Sequence, residues 1–232
     1  MNKDHNIENY LFISPNKFEI HLLDTKNFKN VYKDQFIING NSEFYNLSDL
    51  KKFLDINIFK IERLSGKFVK NIFLIIEEKK DLNLEIGIKK KNYNTLVTKQ
   101  YLENLLVEAK DLFRENYKDQ EIMHMIINKY FFDGKSHLIF KENLKCDHIA
   151  LEIQFKFISN SIIYDLNKIL ENYQIKISRY INSRYIKNIF NNDMELSEMA
   201  HRILKGYNEN EVTFVQKKHK KISLFRKIFS TI

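Results

Sequence analysis

Apolar and polar positions alternate through most of the first third of the chain, which predicts strands. Leu11–Ile20 is one such run, broken at Ser14-Pro15-Asn16, and it continues through His21–Asp24 to a turn near Thr25–Asn27. Val31–Ile38 is a second, ending in the turn signal Asn39-Gly40-Asn41. Asn46-Leu47-Ser48-Asp49 then offers a helix start with Ser48 as the cap, and Leu50, Phe53 and Leu54 are spaced for one helical face. Phe68–Ile76 is a strongly β-forming run, and Leu82–Ile88 alternates strictly.

The pattern changes in the middle. Thr98 caps a helix that runs to about Asn116, with a stripe of Tyr101, Leu102, Leu105, Leu106, Ala109, Leu112 and Phe113. Two long strands follow, Ile122–Phe132 and His148–Ile158, the first ending at the hairpin signal Asp133-Gly134. Ser161–Tyr173 reads as a second helix and Gln174–Tyr180 as a short strand. The order strand, helix, strand, strand, helix, strand predicts a compact α+β unit from about Leu84 to Tyr180. Beyond it, Ile181–Phe190 and Met194–Leu204 are helical in pattern, Gly206 is placed as a stop, and Glu211–Val215 forms a last short strand.

The final stretch, residues 216–232, has the cleanest pattern of all. Lys217, Lys218, Lys220 and Lys221 lead into a segment in which Ile222, Leu224, Phe225, Ile228, Phe229 and Ile232 share one side of a helix. Ser223, Arg226, Lys227, Ser230 and Thr231 fall on the other side, and no acidic residue interrupts them. Cationic charge beside a bulky apolar face suits a helix lying in an anionic membrane surface. A terminal helix docked on its own domain fits the same pattern.

Charge sharpens this picture. The formal net charge is +8, and the segment from Gln216 carries six Lys/Arg with no Asp/Glu, leaving about +2 for the rest of the chain. The basic balance is therefore local. A protein that grips nucleic acid in a groove carries its charge on the folded body, so specific nucleic-acid binding is not expected. With 44% hydrophobic and 29% charged residues, the 232-residue chain has the composition of a globular protein able to bury a core. One Pro and five Gly leave no room for glycine-built phosphate loops. Cys146 is the only cysteine, which excludes an intrachain disulfide and fits a reducing compartment. The start, MNKDHNIENYLF, lacks the apolar core of a signal peptide, and no run approaches the ~20 apolar residues of a membrane span. Any meeting with a membrane is expected to be peripheral and from the cytoplasmic side.

Candidate chemistry is sparse. His124 alternates with Met123 and Met125 on a strand and reads as a structural histidine. Strict alternation would put Cys146 and His148 on one face with Asp147 opposite, and no second cluster at ligand spacing supports a metal. His201 and His219 stand isolated. Glu77-Glu78-Lys79-Lys80 and Lys89-Lys90-Lys91 read as solvated turns at strand ends. Glu62 and Asp55 have no visible partner for acid–base work. No catalytic, cofactor or metal site is expected.

Glu121–Gly134 (EIMHMIINKYFFDG) resembles a segment of the bacterial cell-division protein family FtsA, in which a histidine sits early in a strand that ends at an Asp-Gly turn. Leu144–Ile158, the following helix and Gln174–Ile181 continue in the family's order, that of the strand–helix–strand–strand subdomain inserted in its actin-like fold. Val97–Lys110 takes the place of that subdomain's first helix. The last residues look like the basic linker and amphipathic helix that hold FtsA-type chains on the inner membrane. The resemblance implies an α+β chain of four parts: a reduced first actin-like subdomain (1–83), the FtsA-type inserted subdomain (84–180), a helical region with a short last strand (181–215) and a basic amphipathic tail (216–232). It departs from the family at Phe12–Lys17, where Pro15 replaces an Asp-Ile-Gly-Ser-type phosphate turn. Proline has no N–H for a phosphate and restricts the residue before it. No second lobe corresponds to the family's either, so ATP binding in its manner is not expected.

The functional expectation is a non-enzymatic, FtsA-like division adaptor without a cofactor, cytoplasmic and peripheral on the inner membrane. It would meet division proteins or another copy of itself through 84–180. It would meet an anionic membrane through the apolar tail positions together with Lys217, Lys218, Lys220, Lys221, Arg226 and Lys227. A PilM-like module of a pilus or secretion machine and a basic-tailed nucleic-acid-binding protein are the alternatives.

Overall fold

The computed structural model describes residues 7–38, 45–190 and 193–213. It is a mixed α+β fold with two sheets and five helices among those residues. β1 (Ile7–Ser14), β2 (Lys17–Asp24) and β3 (Lys29–Ile37) form an antiparallel meander. After α1 (Leu47–Ser65), β4 (Asn71–Ile76) returns parallel to β1. The chain then leaves to build a second sheet from β5 (Asn83–Leu96), α2 (Lys99–Asn116), β6 (Gln120–Phe132), β7 (Lys135–His137) and β8 (Lys145–Ser159). It comes back through α3 (Asn160–Glu171) to β9 (Lys176–Asn182), parallel to β4. The first sheet thus has the order β3-β2-β1-β4-β9, and the antiparallel second sheet the order β5-β8-β6-β7. α4 (Ser183–Ile189) and α5 (Leu196–Leu204) follow.

A parallel pair such as β4 and β9 needs a crossover of a dozen residues or more, and here the crossover contains the whole second sheet. β1 and β4 are central strands covered on both faces, which is why Leu11–Ile13 and Leu74–Ile76 are unbroken apolar runs. One face of the first sheet packs α1 and α3 around Leu11, Phe18, Leu54, Ile72 and Leu166. The other packs α4 and α5 around Tyr10, Phe12, Ile75, Ile186 and Ile203. In the second sheet α2 lays Leu105, Leu106, Ala109 and Phe113 on Ile149, Leu151 and Phe155, and Phe113 stacks on Phe155 with ring centroids 4.9 Å apart.

The helices end where local chemistry ends them. Thr98 Oγ1 accepts the Tyr101 N–H at 3.2 Å, the expected cap of α2. α5 closes at Gly206, φ 84°, whose N–H donates to Ile203 O while Tyr207 N–H donates to Arg202 O. This paired closure requires a left-handed residue, which glycine adopts without a Cβ penalty.

Several expectations change. The cap of α1 is Asn46, not Ser48: Asn46 Oδ1 reaches the Asp49 N–H at 3.1 Å, and Ser48 already lies inside the helix. Phe68 stands outside β4 and is 80% exposed. Lys89–Lys91 do not form a turn, because β5 continues past Ile88 in register with β8; Lys89 and Lys91 face water and Lys90 pairs with Glu108 on α2 at 2.7 Å. Ile181 lies within β9, which runs to Asn182, instead of starting a helix. The unit from Leu84 to Tyr180 is divided: its last helix and strand, α3 and β9, pack in the first sheet, because β9 finds its partner in β4. Cys146 and His148 do not share a face: Cys146 is buried in the core under α2 with Ile149 and Leu151, and His148 is half-buried. Here the pairing of β5 with β8 is irregular between Lys91 and Thr95, and Asp133 Oδ1 accepts both the Asp147 and the His148 N–H. Asn39–Asn41 lies outside the described residues.

The placement of α3 is testable in urea. Leu166→Ala, inside the first core, should cost about 2–5 kcal/mol. Tyr164→Ala, on the exposed side of the same helix, should change stability by less than about 0.5 kcal/mol. Equal effects of the two would contradict this packing.

The seam between the sheets as candidate functional site

The two sheets meet along the first half of β6. β7 pairs with β6 only at Tyr130–Phe132, which leaves the earlier edge open. The chain after α5 fills it: Ile127 N–H donates to Asn210 O at 2.9 Å and Val212 N–H to Met125 O at 2.8 Å. The register of β6 against β8 slips at Ile122/His124 and again at Ile127/Lys129. These irregularities let neighbouring side chains serve different cores. Met123 joins the α1/α3 core, Met125 and Ile127 the core under α2, and Ile126 the core under α4 and α5.

His124 lies in the first irregularity, fully buried. Its Nε2 accepts the Asn182 N–H at 2.9 Å, so the proton resides on Nδ1, which donates to Glu211 Oε1 at 2.8 Å. Arg179 Nη2 donates to the same oxygen at 2.7 Å, and the Tyr185 hydroxyl donates to Oε2 at 2.8 Å. Asn208 Nδ2 completes the cluster on the Tyr185 oxygen at 2.9 Å. Burial holds the His124 pKa below the ordinary imidazole value despite the Glu211 carboxylate. Burial also works against the Glu211 anion, but the His124 and Tyr185 hydrogen bonds and the Arg179 charge outweigh it, and its pKa is lowered. Both ring nitrogens are occupied by protein groups. The arrangement joins segments; it presents no nucleophile or base to a cavity.

A second set of ties fixes the loop between β4 and β5. Lys156 and Asn182 Nδ2 both donate to the Asp81 carboxylate. Ser183 Oγ donates to Glu77 Oε2 at 2.9 Å, and Arg184 Nη2 donates to the carbonyls of Glu78 and Lys79 at 2.9 and 2.7 Å. Glu77–Lys80 is thus a turn, clamped by the first residues of α4. Beside it lies a cavity of about 490 Å3 between Pro15, Tyr45, Leu47, Leu82 and Ile162. Glu78 forms part of its wall, and burial together with the Asp81 charge raises the Glu78 pKa to about 7. Ser14 Oγ at the β1–β2 turn bonds Asn16 Oδ1 at 2.7 Å.

The expected membrane positions, Ile222, Leu224, Phe225, Ile228, Phe229, Ile232 and the basic residues 217–227, lie outside the described residues, as does His219. His201 is not isolated, since its Nδ1 meets Glu8 Oε2 at 2.7 Å. Glu62 accepts the Val69 N–H and Asp55 the Tyr173 hydroxyl. Among the described residues no group of three His, Cys, Asp or Glu side chains is placed to hold a metal. Glu211, Arg179 and Tyr185 carried no signal in the sequence, being brought to His124 only by the fold. Asn182 caps α4, but the pattern taken from Ile181 places it inside the expected helix.

Acid should loosen the seam. The unfolded chain takes up a proton at His124 that the folded chain refuses, so this contribution is full above about pH 6.5 and is lost as pH falls below it. The lowered pKa of Glu211 has the same sign at lower pH. Stability should fall from about pH 7 to 5 with a limiting slope of about 1.4 kcal/mol per pH unit per proton. His124→Gln should lower stability at pH 7 and flatten that slope; an unchanged slope would refute the assignment. Glu211→Ala should cost about 3 kcal/mol, at the low end for a broken buried pair, because Arg179 keeps some access to water.

No family model and no curated protein matches the chain. Among solved structures it is similar to the cytoplasmic domain of EpsL, an inner-membrane component of the type II secretion system of Vibrio cholerae, at 9% identity and TM-score 0.33, over 77% of this chain and 57% of that one. It is similar to a Bacteroides thetaiotaomicron protein with an actin-like ATPase fold, at 13% identity and TM-score 0.34, over 81% and 56%. It is also similar to a PilM–PilN type IV pilus biogenesis complex, at 8% identity and TM-score 0.44, over 78% and 49%. The chain spans about half the length of each of these structures.

Proposed function

We propose that this chain is a non-enzymatic adaptor that holds a multiprotein assembly against an anionic membrane surface. The observation that carries the reading is the pattern of residues 216–232, a basic run followed by an uninterrupted apolar helical face. Six apolar side chains would each contribute up to ~1.5–3 kcal/mol if fully buried, and each Lys or Arg near anionic lipid about 1 kcal/mol. Interfacial burial is partial and ordering a helix costs entropy, so one copy binds reversibly and an assembly of copies is retained through effective concentration. Among the described residues no helix is long and apolar enough to cross a membrane.

Two forms of the adaptor share this requirement. One is a component of a pilus or secretion assembly, the setting named for the PilM–PilN complex and for EpsL. The other is a division adaptor of the FtsA type, which rests on the sequence resemblance alone. In both, the partner surface belongs to the folded body and the tail supplies the membrane.

The test is sedimentation with vesicles of phosphatidylglycerol and phosphatidylcholine. The full chain should bind, and a chain ending at Thr213 should keep its fold and lose binding at least about tenfold. Unchanged vesicle binding after truncation, or tighter salt-sensitive binding to DNA than to lipid, would overturn the reading. Titration with Mg-ATP should show no saturable binding, and saturation would point to an ATPase instead.

A further inference from the structure

We propose that the loop joining β7 to β8 is a second membrane contact, entering an anionic lipid surface at Leu138 and Ile139 beside the point where the tail departs. The inference rests on the membrane reading of the tail and adds a contact on the folded body. Leu138 and Ile139 are adjacent, and 68% and 71% exposed. Their exposure is fixed by the fold. The next residue, Phe140, turns inward onto Tyr130 and Phe132, with centroids 5.7 and 6.4 Å away. The far end of the loop is pinned by the Asn143 N–H on Val97 O at 2.8 Å and the Val97 N–H on Leu144 O at 3.0 Å. The scaffold therefore holds two large aliphatic side chains in water at a tip while burying their neighbour. Paired apolar exposure of this kind marks an interaction site more often than a lone residue does.

Two observations select lipid as the occupant. First, Asn210 Nδ2 donates to Leu138 O at 3.3 Å, in the segment that β6 fixes through Ile127 and Met125. Thr213, the last described residue, lies three residues after Asn210, and the basic run begins at Lys217. A tail bound to a membrane thus starts from a point tied to this loop. Second, the stretch offers lysines to lipid headgroups. Lys135, Lys141 and Lys145 are exposed; of the exposed acids Asp133, Glu142 and Asp147, Glu142 pairs with Lys99 at 3.5 Å and Asp133 accepts the Asp147 and His148 N–H groups. Aliphatic side chains with lysines in the same stretch suit the boundary between headgroups and acyl chains.

The chain contains no tryptophan, so a single indole reports its own surroundings. Leu138→Trp and, separately, Phe225→Trp would be made in the full chain and titrated with 1:3 phosphatidylglycerol:phosphatidylcholine vesicles, with brominated lipid as quencher. Both should shift to the blue and be quenched. Leu138→Asp/Ile139→Asp should leave the circular dichroism and melting temperature unchanged and weaken vesicle binding about tenfold. If the Phe225→Trp probe shifts and the Leu138→Trp probe does not, the loop stays in water: this inference fails and the tail reading stands. If neither shifts, both fail. Full vesicle affinity in the double aspartate variant would also overturn the inference.

Discussion

The Glu211 carboxylate is withdrawn from water where four chain segments meet, and a buried carboxylate must be supplied with donors or protonated. β6 supplies His124, β9 supplies Arg179 and α4 supplies Tyr185, while Glu211 comes from the segment after α5. None of these donors is replaceable without leaving the charge short of a partner, so one anion dictates how the inserted sheet sits on the first. The apolar contribution at the seam is narrow, consisting chiefly of Met123 and Ile158 reaching into the α1/α3 core and Ile126 into the core under α4 and α5. A few apolar contacts would permit sliding. Directional bonds to a single buried group do not, since their geometry is lost within a fraction of an ångström.

The same requirement explains the irregular path of β6. A regular strand would send Met123, Met125 and Ile127 to one face and His124 and Ile126 to the other. The slip between Ile122 and His124 parts Met123 from Met125 and Ile127, and the His124 ring reaches both Asn182 and Glu211. An irregular strand is poorer as a ladder, and the edge that results is repaired by Asn210–Val212, whose backbone bonds restore pairing at Met125 and Ile127.

Elements with a single buried face were legible in the sequence. α2 stood out because Thr98 precedes a clean stripe on its one buried side, and β6 and β8 because each is a long, sustained β-forming run. Assignment of elements to sheets was not legible. The apolar side of α3 says that it is buried but not against what, and the pairing of β9 with β4 spans the whole insertion, so no local pattern records it. Lys89–Lys91 misled because an edge strand with one open face can be as charged as a turn. The error at Cys146 and His148 had a different source, since the β5–β8 pairing is irregular between Lys91 and Thr95, where strict alternation does not carry through. The seam was only partly legible: His124 could be singled out, but Asn182 fell inside the helix expected from Ile181, and Glu211 and Arg179 acquire meaning only once β6 and β9 are side by side.

These constraints bear on what a membrane-held body can do. A tail that left a mobile terminus would tether the domain without orienting it. Here the chain leaves the described body two residues after Glu211, with its backbone bonded to β6 on both sides of that residue. The last described residues are therefore held by the interaction that fixes one sheet on the other, and the loop bearing Leu138 is tied to the same segment through Asn210. On the proposed reading, two membrane contacts on one rigid support would restrict tilt against the membrane far more than either does alone. The edge strand β5 and the polar face carrying Glu85, Lys89, Lys91 and Gln154, which nothing covers among the described residues, would then hold a constant tilt to the surface. Copies held in that way would lose less orientational freedom on associating, so a membrane would promote assembly by aligning its members as well as by concentrating them.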